Sequence, residues 1–124
     1  MPTFRGSCHC GAIELEVEGE LDHVVHCNCS YCERSGYLHW NVEPRQFRLL
    51  RGEGAYRTYQ FGTGTSRNHF CTVCGISPFR VPRSDPHLID INVRCLAGVE
   101  LASLRVRGFD GAHWEDAIKT REWK

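Results

Sequence analysis

Alternation of apolar and polar residues is the main pattern along the chain, and it predicts strands. In residues 12–19, Ile13, Leu15 and Val17 alternate with three glutamates. A period of two buries one face of a strand and leaves the glutamates on a solvated face. Other short β-rich runs predict strands at 24–27, 37–42, 47–51, 55–61, 76–81, 88–93 and 104–106. Since Pro78 cannot donate to a ladder, the 76–81 run is predicted to be an edge strand.

Helical patterning is confined to two short stretches. Residues 33–36 are predicted to continue a cysteine-rich turn as one helical turn. Residues 112–119 predict a short C-terminal helix that buries Trp114, Ala117 and Ile118. No internal repeat, low-complexity segment or interdomain linker is visible, so we expect a single domain at 1–124. Its predicted class is all-β and mainly antiparallel.

Composition restricts the classes of partner. With 15 basic and 15 acidic residues the formal net charge is +0, so no overall field would attract nucleic acid or an anionic membrane. No stretch approaches the ~20 apolar residues of a membrane span, and no signal peptide is visible. Eight cysteines without a secretion signal favour metal-bound thiolates in a reducing compartment. We therefore expect a cytoplasmic protein without nucleic-acid or membrane partners.

Two cysteine pairs, each followed directly by glycine, are typical of zinc knuckles. The pairs are Cys8 with Cys10 and Cys71 with Cys74. Glycine can adopt φ > 0, which turns backbone N–H groups toward the sulfurs. Two knuckles that face each other across one ion form a closed four-thiolate site, the structural type of zinc site. Because such sites contribute ~10–16 kcal/mol of binding free energy, we expect the metal-free chain to be unfolded or molten.

A third cluster places Cys27, Cys29 and Cys32 within six residues, at C-x-C-x2-C spacing. On a turn this spacing lets three sulfurs converge on one ion. Three protein ligands with an open fourth position are typical of a zinc ion that takes part in catalysis. The sequence therefore predicts a second zinc at this cluster.

The sequence leaves the fourth ligand of the second ion open. The candidates are Cys95, His26, His39, water and a substrate thiol. On a regular strand His26 would face away from Cys27, which makes it a poor ligand. Cys95 would either close a second four-thiolate site or pack as a small core residue. His69, in the strand that enters the second knuckle, is predicted to hydrogen-bond a ligand sulfur.

The motifs CHCG, HCNCSYCERSG, FCTVCG and NVRCL, in this order, resemble the glutathione-dependent formaldehyde-activating enzyme (GFA)/centromere protein V family. The resemblance runs from Arg5 to Leu101 and implies a β-tent of small twisted sheets. It implies two zinc ions per chain: a structural zinc on the two glycine-tailed pairs, and a second zinc on the three-cysteine cluster, open toward substrate. The implied activity is that of a carbon–sulfur lyase, which reversibly joins glutathione to formaldehyde to give S-(hydroxymethyl)glutathione. The implied partner is glutathione or a similar small-molecule thiol.

The two hypotheses for function belong to different classes. In the enzyme hypothesis, a three-thiolate zinc binds a soft thiol, removes its proton and leaves a sulfur able to attack a small carbonyl carbon. Arg34, Arg57, Arg67 and Arg94 are the unassigned candidates for the carboxylates of glutathione. The alternative is a non-catalytic, zinc-stabilised protein-interaction module. A thiol-accessible ion would indicate the enzyme, and a site closed by Cys95 would indicate the module.

Overall fold

The computed structural model describes residues 1–121, and most of its elements are short strands. The strands are β1 (Thr3–Ser7), β2 (Glu14–Glu18), β3 (His23–Cys27), β4 (Leu38–Val42), β5 (Phe47–Arg51), β6 (Tyr56–Tyr59), β7 (Arg67–Cys71), β8 (Phe79–Val81), β9 (Ile89–Asn92) and β10 (Arg105–Phe109). The α-helices are α1 (Ser30–Ser35) and α2 (Trp114–Thr120), and short 3-10 helices cover Pro44–Gln46, Val93–Cys95, Leu101–Ser103 and Gly111–His113. None of the helices within this range is both long and apolar enough to cross a lipid bilayer.

The strands form two sheets of unequal size. The small sheet has the order β1-β2-β5 and is antiparallel. The large sheet has the order β10-β3-β4-β9-β8-β7-β6, in which the described pairs are antiparallel except for β10 with β3. This architecture, with its short C-terminal helix, confirms the predicted fold class. The parallel pair makes the large sheet mixed, which the sequence pattern did not indicate.

One hydrophobic core lies between the two sheets. Leu15 and Val17 of β2 are fully buried and belong to the same cluster as Ile91 of β9. Phe47 of β5 and Phe79 of β8 bridge the sheets, with ring centroids 5.1 Å apart. Burial of side chains of this size contributes about 1.5–3 kcal/mol each. The alternating residues recognised in the sequence therefore hold the small sheet against one face of the large sheet.

The opposite face of the large sheet carries polar side chains. On β4, Trp40 and Val42 enter the core, whereas His39 and Asn41 line a cavity on the other side. Asp90 of β9 pairs with Asn41 in the strand register and lines the same cavity. This polar face is where the candidate site forms.

One local prediction was wrong, and a second was right in type but began too late in the chain. The run predicted to be an edge strand contains β8, which lies inside the sheet between β9 and β7. Pro78 precedes the strand, so its missing N–H does not interrupt the ladder, and its carbonyl accepts from the N–H of Asn92 at 3.0 Å. The helical turn predicted at 33–36 is α1, which already begins at Ser30.

Candidate metal centres and the cavity beside them

The two glycine-tailed cysteine pairs meet in space. The sulfur atoms of Cys8, Cys10, Cys71 and Cys74 all lie within 4.8 Å of one another. The sulfur of Cys10 is 3.7 Å from that of Cys8 and 3.6 Å from that of Cys71. A tetrahedral zinc with Zn–S bonds of about 2.3 Å requires sulfurs about 3.8 Å apart. These four thiols, which we call the S4 cluster, therefore fit a zinc ion without rearrangement.

Backbone N–H groups point at the S4 cluster, as the glycine-tailed motif predicts. The N–H groups of Val73 and Cys74 donate to Cys71 Sγ at 3.4 Å and 3.5 Å. The turns continue through Gly11 (φ 83°) and Gly75 (φ 79°), a left-handed conformation in which a side chain would be strained. The hydrogen bonds from Cys74 and Val73 lower the pKa of the Cys71 thiol. This favours the thiolate form that zinc requires.

The three-cysteine cluster forms where β3 runs into α1. Cys27 ends β3, Cys29 is the N-cap of α1, and Cys32 lies in the first part of the helix. Cys29 Sγ accepts from the N–H of Cys32 at 3.3 Å, a capping role usually filled by an oxygen. This cap explains why the helix begins at Ser30. The three sulfurs lie within 4.8 Å of one another, and we call them the tripod.

Hydrogen bonds among the tripod thiols shift their pKa values in different directions. Hydrogen bonds with Cys27 and Cys32 lower the pKa of Cys29. The hydrogen bond with Cys29 is the main cause of the raised pKa of Cys27, and that with Cys27 is the main cause of the raised pKa of Cys32. Three thiolates this close together need a cation. The donor set and the spacing fit a thiophilic divalent ion such as zinc.

No fourth protein ligand completes the tripod among the described residues. Within residues 1–121, no further His, Cys, Asp or Glu atom lies within 4.8 Å of all three sulfurs. Cys95 is located beside the S4 cluster instead: burial, followed by the charges of Cys8 and Cys74, raises its pKa to about 11. His26 is exposed, in agreement with the prediction that it faces away. Of the protein candidates for the fourth ligand, only His39 contacts the tripod.

His39 connects the tripod to a buried ion pair. Its Nε2 lies 3.1 Å from Cys32 Sγ, and its Nδ1 lies 2.5 Å from Asp90 Oδ2. Arg80 Nε lies 3.0 Å from the same oxygen, close enough for an ion pair although the N–H is not aligned for a hydrogen bond. Arg80 also donates to Asn68 Oδ1 at 3.1 Å. This chain of contacts crosses the large sheet from β4 to β7, and we call it the polar network.

Packing fixes the imidazole ring of His39. The Tyr37 ring stacks on it with centroids 4.7 Å apart, and the Tyr37 hydroxyl donates to the Asp90 carbonyl at 2.6 Å. His39 is only 6% exposed and Asp90 only 1%. The Asp90 carboxylate accepts from Nδ1 and thereby directs Nε2 toward Cys32. The carboxylate and the stacked ring together hold the imidazole beside Cys32.

A cavity of about 130 Å³ lies against the tripod. The three tripod cysteines line it together with His39 and Asp90. Three aromatic residues and three arginines also contribute to its walls: Phe61, Phe109, Trp114, Arg80, Arg83 and Arg121. The tripod therefore opens onto a space that a small molecule can enter.

Two oxygen atoms at this cavity are buried without a hydrogen-bond partner. They are Oδ1 of Asn41 and Oδ1 of Asp90, which belong to residues paired across β4 and β9. An unsatisfied buried acceptor costs about 1–3 kcal/mol. Both atoms have almost no accessible surface, so a ligand in the cavity would not contact them without a rearrangement of the wall.

The arginines that line the cavity differ from those proposed from the sequence. Arg83 stacks on the Trp114 ring, with its guanidinium carbon 3.7 Å from the ring centroid, and Arg121 pairs with Asp85 at 2.9 Å. The four predicted arginines do not line the cavity. Arg34, for example, donates to the carbonyl of Ser30 at 2.9 Å. Arg80 comes from β8, Arg83 from the loop after it, and Arg121 from the position after α2. These three positions come together only in the folded chain.

The predicted contact between His69 and a ligand sulfur is not made. His69 Nδ1 lies 2.9 Å from Thr58 Oγ1, and its ring packs against Tyr56 and Phe79. His69 does not reach a ligand sulfur because its side chain lies on the face of β7 that packs against these two rings. Burial, followed by the charge of Arg67, lowers the pKa of this histidine.

Comparison with known proteins agrees with this geometry. A family model described as glutathione-dependent formaldehyde-activating enzyme, GFA, matches residues 3–106. The chain belongs to the GFA family. A crystal structure of a Rhodobacter sphaeroides protein is 36% identical in sequence, with a TM-score of 0.74. That similarity covers 82% of this chain and 98% of the Rhodobacter chain.

Membership of the GFA family confirms the resemblance inferred from the cysteine motifs. It supports a glutathione-related role in formaldehyde activation or carbon–sulfur bond chemistry. The GFA match ends at residue 106, before several residues that wall the cavity, namely Phe109, Gly111, Trp114 and Arg121.

Proposed function

We propose that this protein is a zinc-dependent carbon–sulfur lyase that joins a small thiol to a small aldehyde and reverses that reaction. The observation that carries the proposal is the tripod itself. Three sulfurs converge without a fourth protein ligand among the described residues, and the three cysteines line a cavity. A closed four-ligand site would be structural, whereas an open three-ligand site can bind a substrate atom.

The reaction needs neither an oxidant nor a reductant. The thiol sulfur adds to the carbonyl carbon of formaldehyde, a carbon–sulfur bond forms, the carbonyl π bond breaks, and the thiol proton ends on oxygen to give the S-hydroxymethyl adduct. A zinc ion held by the tripod would supply affinity for the substrate sulfur as a thiolate near neutral pH. His39 keeps Cys32 oriented toward the ion, and Asp90 with Tyr37 keeps His39 in place.

Glutathione is the thiol that we propose as substrate. The cavity is lined by the guanidinium groups of Arg83 and Arg121, which pair with Glu115 and Asp85. A carboxylate of glutathione would share these two cations with the acidic side chains. A volume of about 130 Å³ is close to that of an engineered cavity, about 150 Å³, which holds benzene. It suits the thiol end of glutathione with a one-carbon unit attached.

The test follows exchange between free and thiol-bound formaldehyde by NMR at equilibrium. We expect the wild-type protein with two zinc ions to accelerate exchange with glutathione at least about tenfold, which corresponds to about 1.4 kcal/mol of barrier. Cys29→Ala should lose one zinc ion and the acceleration. Cys95→Ala removes a cysteine outside the tripod and should keep both. A fully metallated wild type that exchanges at the spontaneous rate would refute the proposed activity.

An exposed aromatic group favours the second candidate function, a protein-interaction module. Tyr31 in α1 stacks with Tyr59 and Phe61 at centroid distances of 6.2 Å and 5.8 Å, and Tyr59 is 52% exposed. Exposed aromatic residues are enriched at protein interfaces. The interaction module would be preferred if both zinc ions stay bound in excess glutathione and no exchange is accelerated.

A further inference from the structure

The last residue of β10 and the residues directly after it lie against Cys27 and Cys29 of the tripod. We call residues 109–113 the strap. β10 pairs in parallel with β3, so that Phe109 lies beside Cys27 in the register. The strap lies outside the family match, which ends at residue 106. What it does for the site therefore has to be derived from its contacts in this chain.

Asn28, between the first two tripod cysteines, is tied to the strap by three hydrogen bonds. Its backbone N–H donates to the Phe109 carbonyl at 3.3 Å. Its side-chain Nδ2 donates to Asp110 Oδ1 at 2.9 Å, and its Oδ1 accepts from the N–H of Ala112 at 2.9 Å. The side-chain bond from Asn28 is the main reason why the pKa of Asp110 is lowered. Both polar ends of the Asn28 side chain are thus used to hold one short segment.

Gly111 is the point at which the strap touches the tripod. A Cβ atom built on Gly111 would lie 2.3 Å from Cys27 Sγ and 3.0 Å from Cys29 Cβ. Such distances are far below van der Waals contact, so any side chain there would displace the sulfur or the strap. The requirement for glycine is one of close approach, because Gly111 does not have a positive φ.

We infer that the strap is part of the tripod metal centre and that Asn28 and Gly111 are positioning residues that hold Cys27 and Cys29 in the geometry that binds the ion. The inference rests on the proposed function, because it assumes a thiophilic divalent ion at the tripod. Asn28 lies between two of the ligands, so its three bonds restrain the backbone on both sides. Gly111 allows the strap to lie close against Cys27 and Cys29. Loss of residues that orient metal ligands typically lowers metal affinity about 10–100-fold.

The experiment measures zinc release from the full-length protein to a chromophoric chelator. Wild type, Asn28→Ala, Gly111→Ala and Gly108→Ala are each loaded with zinc and compared. Gly108 is the matched control: it lies in β10 next to the strap, and a Cβ there meets nothing within 4 Å. Cobalt(II) spectra, recorded after replacement of zinc, report the ligand geometry independently of enzymatic activity.

We expect wild type and Gly108→Ala to hold two ions and to release them in two separate phases. Asn28→Ala and Gly111→Ala should release the tripod ion about 10–100-fold faster, with the S4 ion unchanged and the cobalt spectrum of the tripod shifted. Wild-type release of both ions from both variants would overturn the inference and leave the proposed function standing. A wild type that binds only one ion would instead refute the proposed function. If Gly111→Ala does not fold, Asn28→Ala decides, because it keeps the backbone hydrogen bond and adds no atom.

Discussion

At the scale of single residues, His39 is where the sheet and the candidate metal centre meet. One ring nitrogen contacts a tripod sulfur, and the other contacts a carboxylate that is itself paired with a buried arginine. The sequence identified His39 as a candidate fourth ligand. The structure places it against one sulfur only, so we assign it to the orientation of Cys32 rather than to direct coordination.

Two substitutions of His39 separate its contacts. In His39→Asn the amide can still reach Asp90 but not Cys32, whereas in His39→Gln it can reach Cys32 but loses Asp90. Because the sulfur contact is the one that affects the ion, we expect His39→Asn to lower exchange activity by about 10–100-fold and His39→Gln by less. The measurement is the NMR exchange rate, with zinc content determined on the same samples.

His26→Asn is the control for these variants, since His26 is an exposed histidine on the neighbouring strand. It should behave like wild type. Equal activity of His39→Asn and wild type would show that the Cys32 contact has no part in the reaction.

Some residues of the candidate sites could be predicted from the sequence, and others could not. The spacing of seven cysteines indicated both clusters, because metal ligands sit in short local motifs with few permitted spacings. The polar network was not found, because His39, Arg80 and Asp90 come from three strands whose pairing the sequence does not state. A signal was present: Asp90 lies between Ile89 and Ile91, so its side chain had to face away from the core.

At the scale of secondary-structure elements, β8 is the short strand on which the polar network depends. It contributes Phe79 to the core and Arg80 to the opposite face, so it joins the packing of the sheets to the site. Alternation predicted β2, β4 and β9, where apolar and polar residues strictly alternate. It did not show that β8 lies inside the sheet. A strand of three residues next to a proline is too short for an alternation of apolar and polar residues to be recognised. β1 was not predicted either, since Phe4 is its only apolar residue and gives no alternation.

We expect Arg80→Met to be strongly destabilising. The change leaves Asp90, which is 1% exposed, as a buried charge that has lost its cation. Removal of one partner of a buried ion pair costs about 3–5 kcal/mol. The measurement is the free energy of unfolding in urea with zinc in excess, so that metal loss does not contribute.

Arg57→Met in β6 is the matched control, because Arg57 is exposed. It should change the free energy of unfolding by no more than about 0.5 kcal/mol. If Arg80→Met is no less stable than Arg57→Met, the polar network does not support the fold.

At the scale of the whole molecule, the S4 cluster joins distant parts of the chain. It connects the loop between β1 and β2 in the small sheet to the end of β7 in the large sheet. Cys10 and Cys71 are 61 positions apart, so the cluster closes a long loop as well as holding the two sheets together. The tripod, by contrast, lies within a single turn and its ion is not needed to connect the sheets.

Removal of the two ions should therefore have different effects. We expect a chelator to take the tripod ion first, with loss of activity but little change in circular dichroism. Removal of the S4 ion should then unfold the protein, since a binding free energy of about 10–16 kcal/mol matches or exceeds the total stability of a small domain. The measurement is circular dichroism recorded together with zinc release. A metal-free protein with a native spectrum and a cooperative thermal transition would contradict this expectation.

The different spans of the two clusters have a consequence for biosynthesis. As the chain leaves the ribosome, Cys27, Cys29 and Cys32 emerge together. Cys8 and Cys10, by contrast, cannot complete the S4 cluster until Cys71 and Cys74 have been synthesised. The three neighbouring thiols are then solvated, unprotected by β10, and attractive to soft ions such as copper(I) or cadmium. Copper or cadmium should therefore bind this cluster most readily before translation ends. In cells exposed to either metal, we expect the mismetallated protein to be found among the molecules synthesised after exposure began.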